Sequence, residues 1–547
     1  MKKWHIDNNS EIKNLEDLTK ILLKNREITD EKEIESFLSP NLSEITLKSV
    51  GINKRQVKKA VLRIEEAIKE KQKIIIYGDY DVDGVSASAI LWETLNKMRA
   101  YVLPFIPSRF NEGYGLSIEG IDNLLKKGKV NLIITVDNGI VANEAVLYAK
   151  KKGIDVIITD HHVPAEKLPK AFAIVHTTEL CGTGVAYIFS KEISKEKISE
   201  SDNHIELVAL ATIADLVPLK KANRILVHFG IKALKETKRP GLIALCDQAG
   251  LKLSEIDTYQ IGHVITPRLN AMGRLEDAMD SLRLVCTLNK KRAEELAALL
   301  SETNLERQQI TIKALEHARN KTKEKALENL IFIADESYQQ GIVGLVAGRL
   351  VEEFYLPSIV ISKGKKISKA SARSIKGFNI IEFLREASDL LLDVGGHPMA
   401  AGFTVETKNI EALEKKLLES VGKFVSPKQL DRVLRIDTVL PQNLINLITY
   451  QALEKLKPYG MANPEPTFLT ENLIIENTRL LGKDKKHLKI TFNSETSRKK
   501  LEGIAFGIGD IHKLQNGDIV NAVYAIDEND WNGNKTLQLK IKDLKKN

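Results

Sequence analysis

Cysteine is scarce in this sequence. Its three cysteines, Cys181, Cys246 and Cys286, are scattered over 547 residues. An odd number of distant thiols disfavours a disulfide framework or a zinc ribbon, and it fits a reducing compartment. We therefore expect a cytoplasmic protein whose fold does not depend on disulfide bonds.

Long apolar runs are also missing. No segment approaches the roughly 18 consecutive apolar residues that a membrane span needs. The opening residues, MKKWHIDNNSEI, contain lysines with no apolar stretch after them, so we expect neither a membrane segment nor a secretory signal. The remaining composition, 43% hydrophobic and 28% charged, is that of an ordinary globular chain, and roughly 150 residues per domain predicts three or four domains.

Positive charge is only slightly in excess of negative charge. The sequence has 81 lysines and arginines against 73 aspartates and glutamates, a net charge of +8. This balance permits a nucleic-acid partner. A lysine-rich proteome would produce the same excess, so charge alone does not decide the class of function.

Short β-branched runs alternate with amphipathic stretches between residues 71 and 235. Strands are predicted at 73–79, 101–107, 131–137 and 155–160, and the helices between them include 85–98 and 143–153. This alternation indicates right-handed βαβ units and a parallel sheet. The predicted fold class is therefore α/β.

In the remainder of the chain, the pattern of residues changes twice. Residues 289–326 are charged, lack proline and glycine and place apolar residues at helical spacing, which predicts one long helix acting as a semi-rigid connector. A second α/β unit follows, with strands predicted at 330–335, 357–362, 369–375 and 400–405. Short alternating strands near the C-terminus, with turn signals at Asn516-Gly517 and Asn532-Gly533, predict a small β-barrel.

These changes divide the chain into five predicted segments. They are an N-terminal arm (1–50), a parallel-sheet domain (51–235), a helical connector (236–326), a second α/β domain (327–425) and the β-barrel (428–547).

Acidic residues end three of the predicted strands, at Asp79, Asp137 and Asp160. The carboxyl ends of parallel strands face one crevice, so these side chains should converge. The same crevice should receive residues that follow these strands or end the apolar helix ELVALATIAD, namely Asp81, Asp83, His161, His162 and Asp215. So many carboxylates need divalent cations to ionise together. Oxygen and imidazole ligands without thiolates suit Mn²⁺ or Mg²⁺ better than zinc, and two such ions can clamp a phosphoryl group during its displacement.

Each motif taken singly also has an interpretation that does not involve a two-metal centre. The spacing of Asp79, Asp81 and Asp83 also begins an EF-hand loop, but that loop needs a glutamate where Ile90 stands and a helix before it. A strand-end aspartate such as Asp137 is usually a helix cap, and a histidine pair is usually exposed on the surface with no ligand. The convergence of all these residues on one sheet edge favours a metal centre.

These motifs resemble the DHH phosphoesterase superfamily and, within it, the RecJ family of single-strand-specific 5′→3′ DNA exonucleases. The resemblance rests on motifs along nearly the whole chain, at 79–84, 109–116, 136–139, 160–162, 211–215, 267–274 and 395–403. It implies a DHH domain, a DHH-associated domain and a C-terminal OB fold that binds DNA. One departure is a loop at 176–180 that is shorter than the family's usual loop.

The resemblance also implies roles for the acidic cluster. It assigns Asp79 and Asp81 to one metal, Asp83, His161 and Asp215 to a second, and Asp137 to both as a bridge. Asp160 would orient His161, and His162 would contact the scissile phosphate or protonate the leaving oxygen. No separate protein base is evident, so a water activated by the metals is the expected nucleophile.

Two further groups are candidates for DNA contact. Ser371 and Arg373 on a predicted strand, with Gly395, Gly396 and His397 after a predicted helix, would bind a terminal phosphate; Gly395-Gly396 is also interpreted as a helix C-cap. Residues in family motifs that line the DNA path are Arg109, Tyr114, Arg268, Asn270 and Arg274. Tyr114 would stack on a base or simply pack its loop.

Three functions follow from these expectations. The first is an exonuclease that degrades single-stranded DNA 5′→3′ to mononucleotides in recombination and repair. The resemblance implies that it acts as a monomer, with a RecQ-type helicase and single-strand-binding protein as partners. The second is a DHH phosphodiesterase for cyclic dinucleotides or very short RNA. The third is an inactive relative that serves as a replication scaffold, which would have lost carboxylates that this sequence retains.

Overall fold

The computed structural model describes residues 2–109, 112, 113, 115–196, 198, 204–324, 329–482, 484–493, 500–507, 514–531 and 534–547. The chain forms two compact units. The larger comprises Ile45–Asp215 and Phe229–Arg432, and the smaller comprises the residues up to Glu44, Leu216–His228 and Val433–Asn547. Within this described part of the chain, no helix combines the length and the apolar character needed to cross a bilayer.

The first sheet of the larger unit is parallel throughout, as predicted. Its strands lie in the order Val102–Phe105, Ile74–Tyr77, Leu132–Val136, Asp155–Asp160 and Ala173–His176. The inner strands are apolar and buried along their length, which is typical of a parallel sheet covered on both faces. The fifth strand, Ala173–His176, was not predicted because it is short and follows a polar loop.

Helices connect these strands and continue beyond them. In this region they are Lys54–Lys69, Val82–Lys97, Ile118–Lys126, Asn143–Lys151, Gly182–Ser194 and Ile205–Ala214. The helices that follow are Lys221–Lys235, Pro240–Gln248, Thr258–Gln260, Thr266–Leu275, Met279–Cys286 and Lys290–Glu324. The last of these confirms the single long helix predicted for 289–326.

The second sheet of the larger unit is mixed. Its strands lie in the order Leu391–His397, Ala400–Glu406, Ile367–Arg373, Ser358–Ser362 and Ile331–Asp335, and only the last two are parallel neighbours. The helices of this domain are Val343–Phe354, Ile380–Arg385 and Ile410–Val421. The four predicted strands are confirmed.

The interpretation of Gly395-Gly396 as a helix C-cap is wrong. Both glycines lie inside the strand Leu391–His397, well after the helix Ile380–Arg385 has ended. Gly396 has φ +140°, and a Cβ there would lie 2.6 Å from the Cα of Ala401. Glycine is therefore required by the close approach of two strands, and not by a helix end.

The smaller unit contains the predicted β-barrel. Its strands lie in the order Lys3–Asn8, Val433–Val439, Phe468–Leu481, His487–Asn493, Leu501–Ala505, Asn534–Lys546 and Ile519–Trp531. Pairing of Phe468–Leu481 with Ile519–Trp531 closes five of these strands into a barrel. The turn signal at Asn516-Gly517 is confirmed by a φ of +89° at Gly517, whereas Asn532-Gly533 lies outside the described residues.

The N-terminal residues are part of this unit and do not form an arm. The strand Lys3–Asn8 pairs in parallel with Val433–Val439. The helices Leu15–Asn25, Glu31–Leu38 and Leu447–Glu454 cover the barrel, and Leu18 and Leu22 share its core with Phe468 and Phe492. The sequence did not indicate this because the pairing joins residues more than four hundred positions apart. The domain boundaries given above otherwise stay predictions.

Candidate metal centre

Three aspartates lie at one edge of the parallel sheet. Asp79 follows the strand Ile74–Tyr77 closely, Asp137 directly follows Leu132–Val136, and Asp160 is the last residue of Asp155–Asp160. These strands are hydrogen-bonded neighbours in register, so their carboxyl ends bring the side chains together.

Asp137 has an unusual backbone conformation. Its φ is +61°, a left-handed value that a non-glycine residue adopts at some energetic cost and that is often found at functional sites. Gly182 lies against it: a Cβ at Gly182 would be 2.6 Å from both Cβ and Oδ1 of Asp137. The helix that begins at Gly182 therefore approaches the carboxylate as closely as a backbone can.

The side chains of the cluster form three overlapping groups, in each of which the possible ligand atoms lie within 4.8 Å of one another. The groups are Asp79, Asp81 and Asp137; Asp83, His161 and Asp215; and Asp137, His161 and His162. The His161 Nε2 lies 3.2 Å from Asp137 Oδ1 and 3.6 Å from Asp215 Oδ2. This grouping matches the two ligand sets implied by the resemblance, although which residue binds which ion stays a prediction.

The electrostatics of the cluster call for a cation. Burial, together with neighbouring carboxylates, raises the pKa of Asp79 and of Asp137 well above the usual range. Burial and the charges of Asp83 and Asp81 raise the pKa of Asp215 to about 8. Within the described residues, Asp79 Oδ1 is buried without a hydrogen-bond partner, an arrangement that a divalent ion would satisfy.

Two of the candidate ligands also cap helices. Asp81 Oδ1 accepts hydrogen bonds from the N–H groups of Asp83 and Gly84, at 2.9 and 3.1 Å, at the start of Val82–Lys97. Asp83 accepts hydrogen bonds from the N–H groups of Gly182 (2.7 Å) and Thr183 (2.6 Å) at the start of Gly182–Ser194. The capping and the metal-binding interpretations are therefore compatible, because these bonds hold the carboxylates in place.

Asp160 orients a different histidine ring from the one expected. Its Oδ1 accepts hydrogen bonds from the His161 backbone N–H (2.7 Å) and from the His162 Nδ1 (2.8 Å), while Oδ2 accepts one from the Ile140 N–H. The expectation that Asp160 orients His161 therefore holds for the His161 backbone N–H, whereas the ring that Asp160 orients is that of His162. The His162 side chain turns back onto the Asp160 carboxylate, while the His161 ring points toward Asp83 and Asp215.

The two histidines consequently differ in protonation. Burial lowers the pKa of His161, which favours the neutral imidazole that a metal ligand must be. Burial also opposes the protonation of His162, but the hydrogen bond and charge of Asp160 prevail and raise the pKa of His162 to about 9. One ring is suited to ligation and the other to proton donation.

Four arginines form a cationic group beside the carboxylates. The Arg109 guanidinium lies 4.6 Å from the ring centroid of Tyr80, and Arg274 Nη1 donates to the Gly341 carbonyl at 3.1 Å. Burial and the charges of Arg109, Arg307 and Arg373 lower the pKa of Arg274 to about 10. Cations gathered this closely in a buried position are suited to binding a polyanion.

Ser371 and Arg373 meet the start of a helix. Arg373 Nη1 donates to Ser371 Oγ at 2.8 Å. A Cβ at Gly344, in the first turn of Val343–Phe354, would lie 2.9 Å from Arg373 Nη2 and 3.0 Å from Ser371 Oγ. A hydroxyl, a guanidinium and helical N–H groups therefore occupy one place, a combination that favours anions.

The other predicted DNA contacts are arranged differently. Strand register places Gly395 in line with Ser371, and the exposed His397 in line with Arg373, each two strands away on the same face. Asn270 Oδ1 accepts a hydrogen bond from the Val82 N–H at 2.9 Å, and Arg268 Nη1 donates to the Val264 carbonyl at 2.7 Å. Both side chains bind backbone groups, Arg268 within its own helical segment and Asn270 on the first acidic motif. Tyr114 lies outside the described residues.

Sequence reasoning missed residues that support the site. Asn138 Nδ2 donates to the carbonyls of Val136 and Tyr77, at 2.8 and 3.1 Å, and so ties together the strand ends that carry Asp137 and Asp79. His176 Nε2 lies 2.8 Å from the His162 carbonyl. Asn138 lies in the motif at 136–139, but nothing in the local pattern marks His176, whose contact follows from the pairing of strands.

Comparisons with known proteins agree with this geometry. The DHH family, N-terminal domain, matches residues 73–212, the DHHA1 domain matches 327–423 and the RecJ OB domain matches 436–543. The single-stranded-DNA-specific exonuclease RecJ of Haemophilus influenzae is 32% identical over 535 residues, covering 91% of this chain and 92% of the relative. This chain belongs to the RecJ family.

Two other RecJ proteins extend the comparison. The single-stranded-DNA-specific exonuclease RecJ of Bacillus subtilis is 38% identical over 500 residues, and the match covers 89% of this chain but 63% of that longer relative. A crystal structure of RecJ in complex with Mn²⁺ from Thermus thermophilus has a TM-score of 0.84 and 27% identity, covering 100% of this chain and 80% of that one. The predicted RecJ architecture of DHH, DHHA1 and OB domains is confirmed.

Proposed function

We propose that this chain is a metal-dependent exonuclease that degrades single-stranded DNA in the 5′→3′ direction, releasing mainly mononucleotides, in DNA recombination and repair. The observation that carries the proposal is the pair of ligand groups that the contact of Asp137 with His161 brings together, with four arginines close by. This arrangement supports catalysis and phosphate binding at neighbouring positions. Relatives across the family are named single-stranded-DNA-specific exonucleases.

Mn²⁺ or Mg²⁺ is the cofactor that this ligand set suits. Asp79 and Asp81 would hold one ion, Asp83, His161 and Asp215 the other, and Asp137 both. When bound, such ions neutralise the phosphate and activate water for its attack. Oxygen-rich ligands with one imidazole and no thiolate favour these metals over zinc.

His162 is the proposed proton donor. Asp160 accepts from its Nδ1 and holds the ring protonated, so Nε2 is the nitrogen from which a proton can pass to the leaving oxygen. The carbonyl of His162 is in turn hydrogen-bonded by His176, which limits movement of the backbone on which the ring is carried.

A terminal phosphate would be recognised by the second domain. Ser371, Arg373 and the first turn of Val343–Phe354 supply donors at one place, and a terminal phosphate carries more negative charge than an internal one. A strand held by its end in this way can advance only a short distance past the carboxylates. We therefore expect the products to be short.

The remaining attributes rest on family resemblance. We place the enzyme in the cytoplasm, acting as a monomer, with single-stranded DNA as its substrate and a RecQ-type helicase and single-strand-binding protein as partners. The few cysteines, all of them unpaired thiols, support a reducing compartment.

Digestion of end-labelled oligonucleotides in Mn²⁺ tests the proposal. A 5′-labelled single strand should yield labelled mononucleotides, a blunt duplex should resist, and EDTA should abolish the reaction. Hydrolysis of a cyclic dinucleotide with no action on the single strand would instead indicate a small-substrate phosphodiesterase. Absence of hydrolysis of either substrate, despite metal binding, would indicate an inactive scaffold.

A further inference from the structure

Tyr259 and His263 form an exposed aromatic stack. Their ring centroids lie 4.5 Å apart with an angle of 14° between the planes. Tyr259 is 62% exposed, and His263 is exposed as well. Two flat rings held parallel in solvent bury little surface, so the hydrophobic core does not explain them.

The local backbone holds this stack in place. The Thr266 N–H donates to the Ile261 carbonyl, five residues back, which makes Ile261–Ile265 a π-helical turn. Pro267 lacks the N–H that would bond the His263 carbonyl in an α-helix, which favours the wider turn. His263 Nδ1 lies 3.3 Å from the Tyr259 carbonyl. Turns of this kind are frequent at functional sites.

The turn that carries the stack packs against the helix that ends at a candidate metal ligand. Gly262, between the two aromatic residues, packs against Ile213: a Cβ at Gly262 would lie 3.6 Å from Ile213 Cγ2. Ile213 is two residues before Asp215, the carboxylate that completes one ligand group. The helix that continues from this turn carries Asn270, which is hydrogen-bonded to Val82 at the start of the first acidic motif. The turn that carries the rings therefore packs against the helix that ends at Asp215 and leads into the helix that contacts the first acidic motif.

A nucleobase is the ligand that such a surface fits. Aromatic faces stack on any base, and this stacking is tolerant of sequence because every base presents a π-face. We propose that Tyr259 and His263 form a stacking platform for one base of the bound single strand, at the place where the strand passes the helix that ends at Asp215. The inference rests on the proposed function, since it assumes that the crevice receives a single strand of DNA.

Fluorescence of 2-aminopurine in the strand tests the stack without relying on turnover. The base is placed at successive positions from a 5′ end protected by phosphorothioate linkages, and binding is measured in Mn²⁺. We expect strong quenching at one position with the wild type and with Tyr259→Phe, and loss of that quenching with Tyr259→Ala and His263→Ala. Tyr101→Ala, a change at another exposed tyrosine of the same unit, is the matched control and should behave as the wild type.

An abasic site at the quenched position gives a second readout. Tyr259→Ala should weaken binding of the intact strand by about 5- to 100-fold, but it should leave binding of the abasic strand almost unchanged. Quenching that Tyr259→Ala does not alter, or equal weakening on both strands, would overturn the proposal. Position-specific quenching without any hydrolysis by the wild type would refute the exonuclease function while sustaining the stack, and hydrolysis without quenching would do the reverse.

Discussion

Asp137 is the carboxylate that two of the ligand groups share. Asp137→Ala should therefore reduce the rate of hydrolysis more than any other single change in the cluster, by more than about 100-fold, since even residues behind metal ligands cost 10- to 100-fold. Affinity for DNA should change little because the cationic group remains. Single-turnover hydrolysis and equilibrium binding separate the two effects, with Asp247→Ala, an exposed aspartate, as the control. Wild-type turnover in Asp137→Ala would refute the bridging assignment.

Arg373 is the residue on which the proposed end recognition depends most. Its guanidinium is fixed by Ser371 at the first turn of a helix, where it would add charge-assisted hydrogen bonds to a terminal phosphate. Each such bond contributes about 1.5–3 kcal/mol. Arg373→Ala should therefore reduce the rate ratio of 5′-phosphorylated to 5′-hydroxyl strands by roughly 10- to 100-fold.

The control for this prediction is His397→Ala. His397 lies two strands from Arg373 on the same face, so its removal should have a smaller effect on the same ratio. A ratio that neither substitution changes would place end recognition outside the DHHA1 domain.

At the scale of elements, a buried ion-pair network joins helices of the larger unit. Arg239 donates from Nη1 and Nη2 to the two oxygens of Glu93, at 2.6 and 2.9 Å, and its Nε lies 2.8 Å from Glu206 Oε1. His204 Nε2 lies 2.9 Å from Glu93. Burial opposes ionisation of Glu93, but the hydrogen bonds from His204 and Arg239 prevail and lower its pKa to about 2.

This network predicts an acid-dependent loss of stability. Because the pKa of Glu93 is lower in the folded state than its usual value of about 4.3, its contribution is present above that pH and is lost as the pH falls toward 2. Glu93→Gln should destabilise the protein by about 3 kcal/mol at neutral pH. The difference in unfolding free energy between wild type and Glu93→Gln should shrink as the pH falls below about 4.

Urea denaturation of both proteins at several pH values measures this effect. Burial raises the pKa of Glu206, the neighbouring carboxyl group, so its contribution has the opposite sign and is present in both proteins. The difference between wild type and Glu93→Gln therefore reports Glu93 together with its effect on Glu206, whose pKa the Glu93 charge also raises. A constant difference across the acid range would contradict the assigned pKa.

At the scale of the whole molecule, the two ends of the chain fold together. Leu18 and Leu22 share one core with Phe468 and Phe492, and the strand Lys3–Asn8 pairs with Val433–Val439. Removal of 428–547 should therefore expose apolar residues of the first forty positions. We expect such a truncated protein to aggregate, whereas one that also lacks 1–44 should aggregate less.

Size-exclusion chromatography distinguishes the two truncated forms. Equal solubility of both would show that the N-terminal segment does not need the barrel. Loss of DNA binding in the protein that lacks only 428–547 should accordingly not be assigned to the OB domain. The salt dependence of DNA binding is the better measure of contacts to the strand. Its slope should be about −0.7 per phosphate neutralised on a single strand.

Much of this protein could be predicted from local pattern. The strand runs before Asp79, Asp137 and Asp160 are continuous and apolar, so both the parallel sheet and the convergence of carboxylates follow from the residues themselves. The long helix 290–324 is equally evident, because no residue in it interrupts helical spacing. The grouping of the cluster into two ligand sets agrees with the family motifs.

What only the tertiary structure decided concerns contacts between distant segments. The choice of His162 over His161 as the partner of Asp160 depends on side-chain rotation, which spacing does not encode. The placement of Gly395-Gly396 in a strand, and of the N-terminal residues in the barrel unit, depends on pairing partners far along the chain. Local periodicity is fixed by the order of residues, but strand pairing and side-chain orientation are set by whichever surfaces the folded chain brings together.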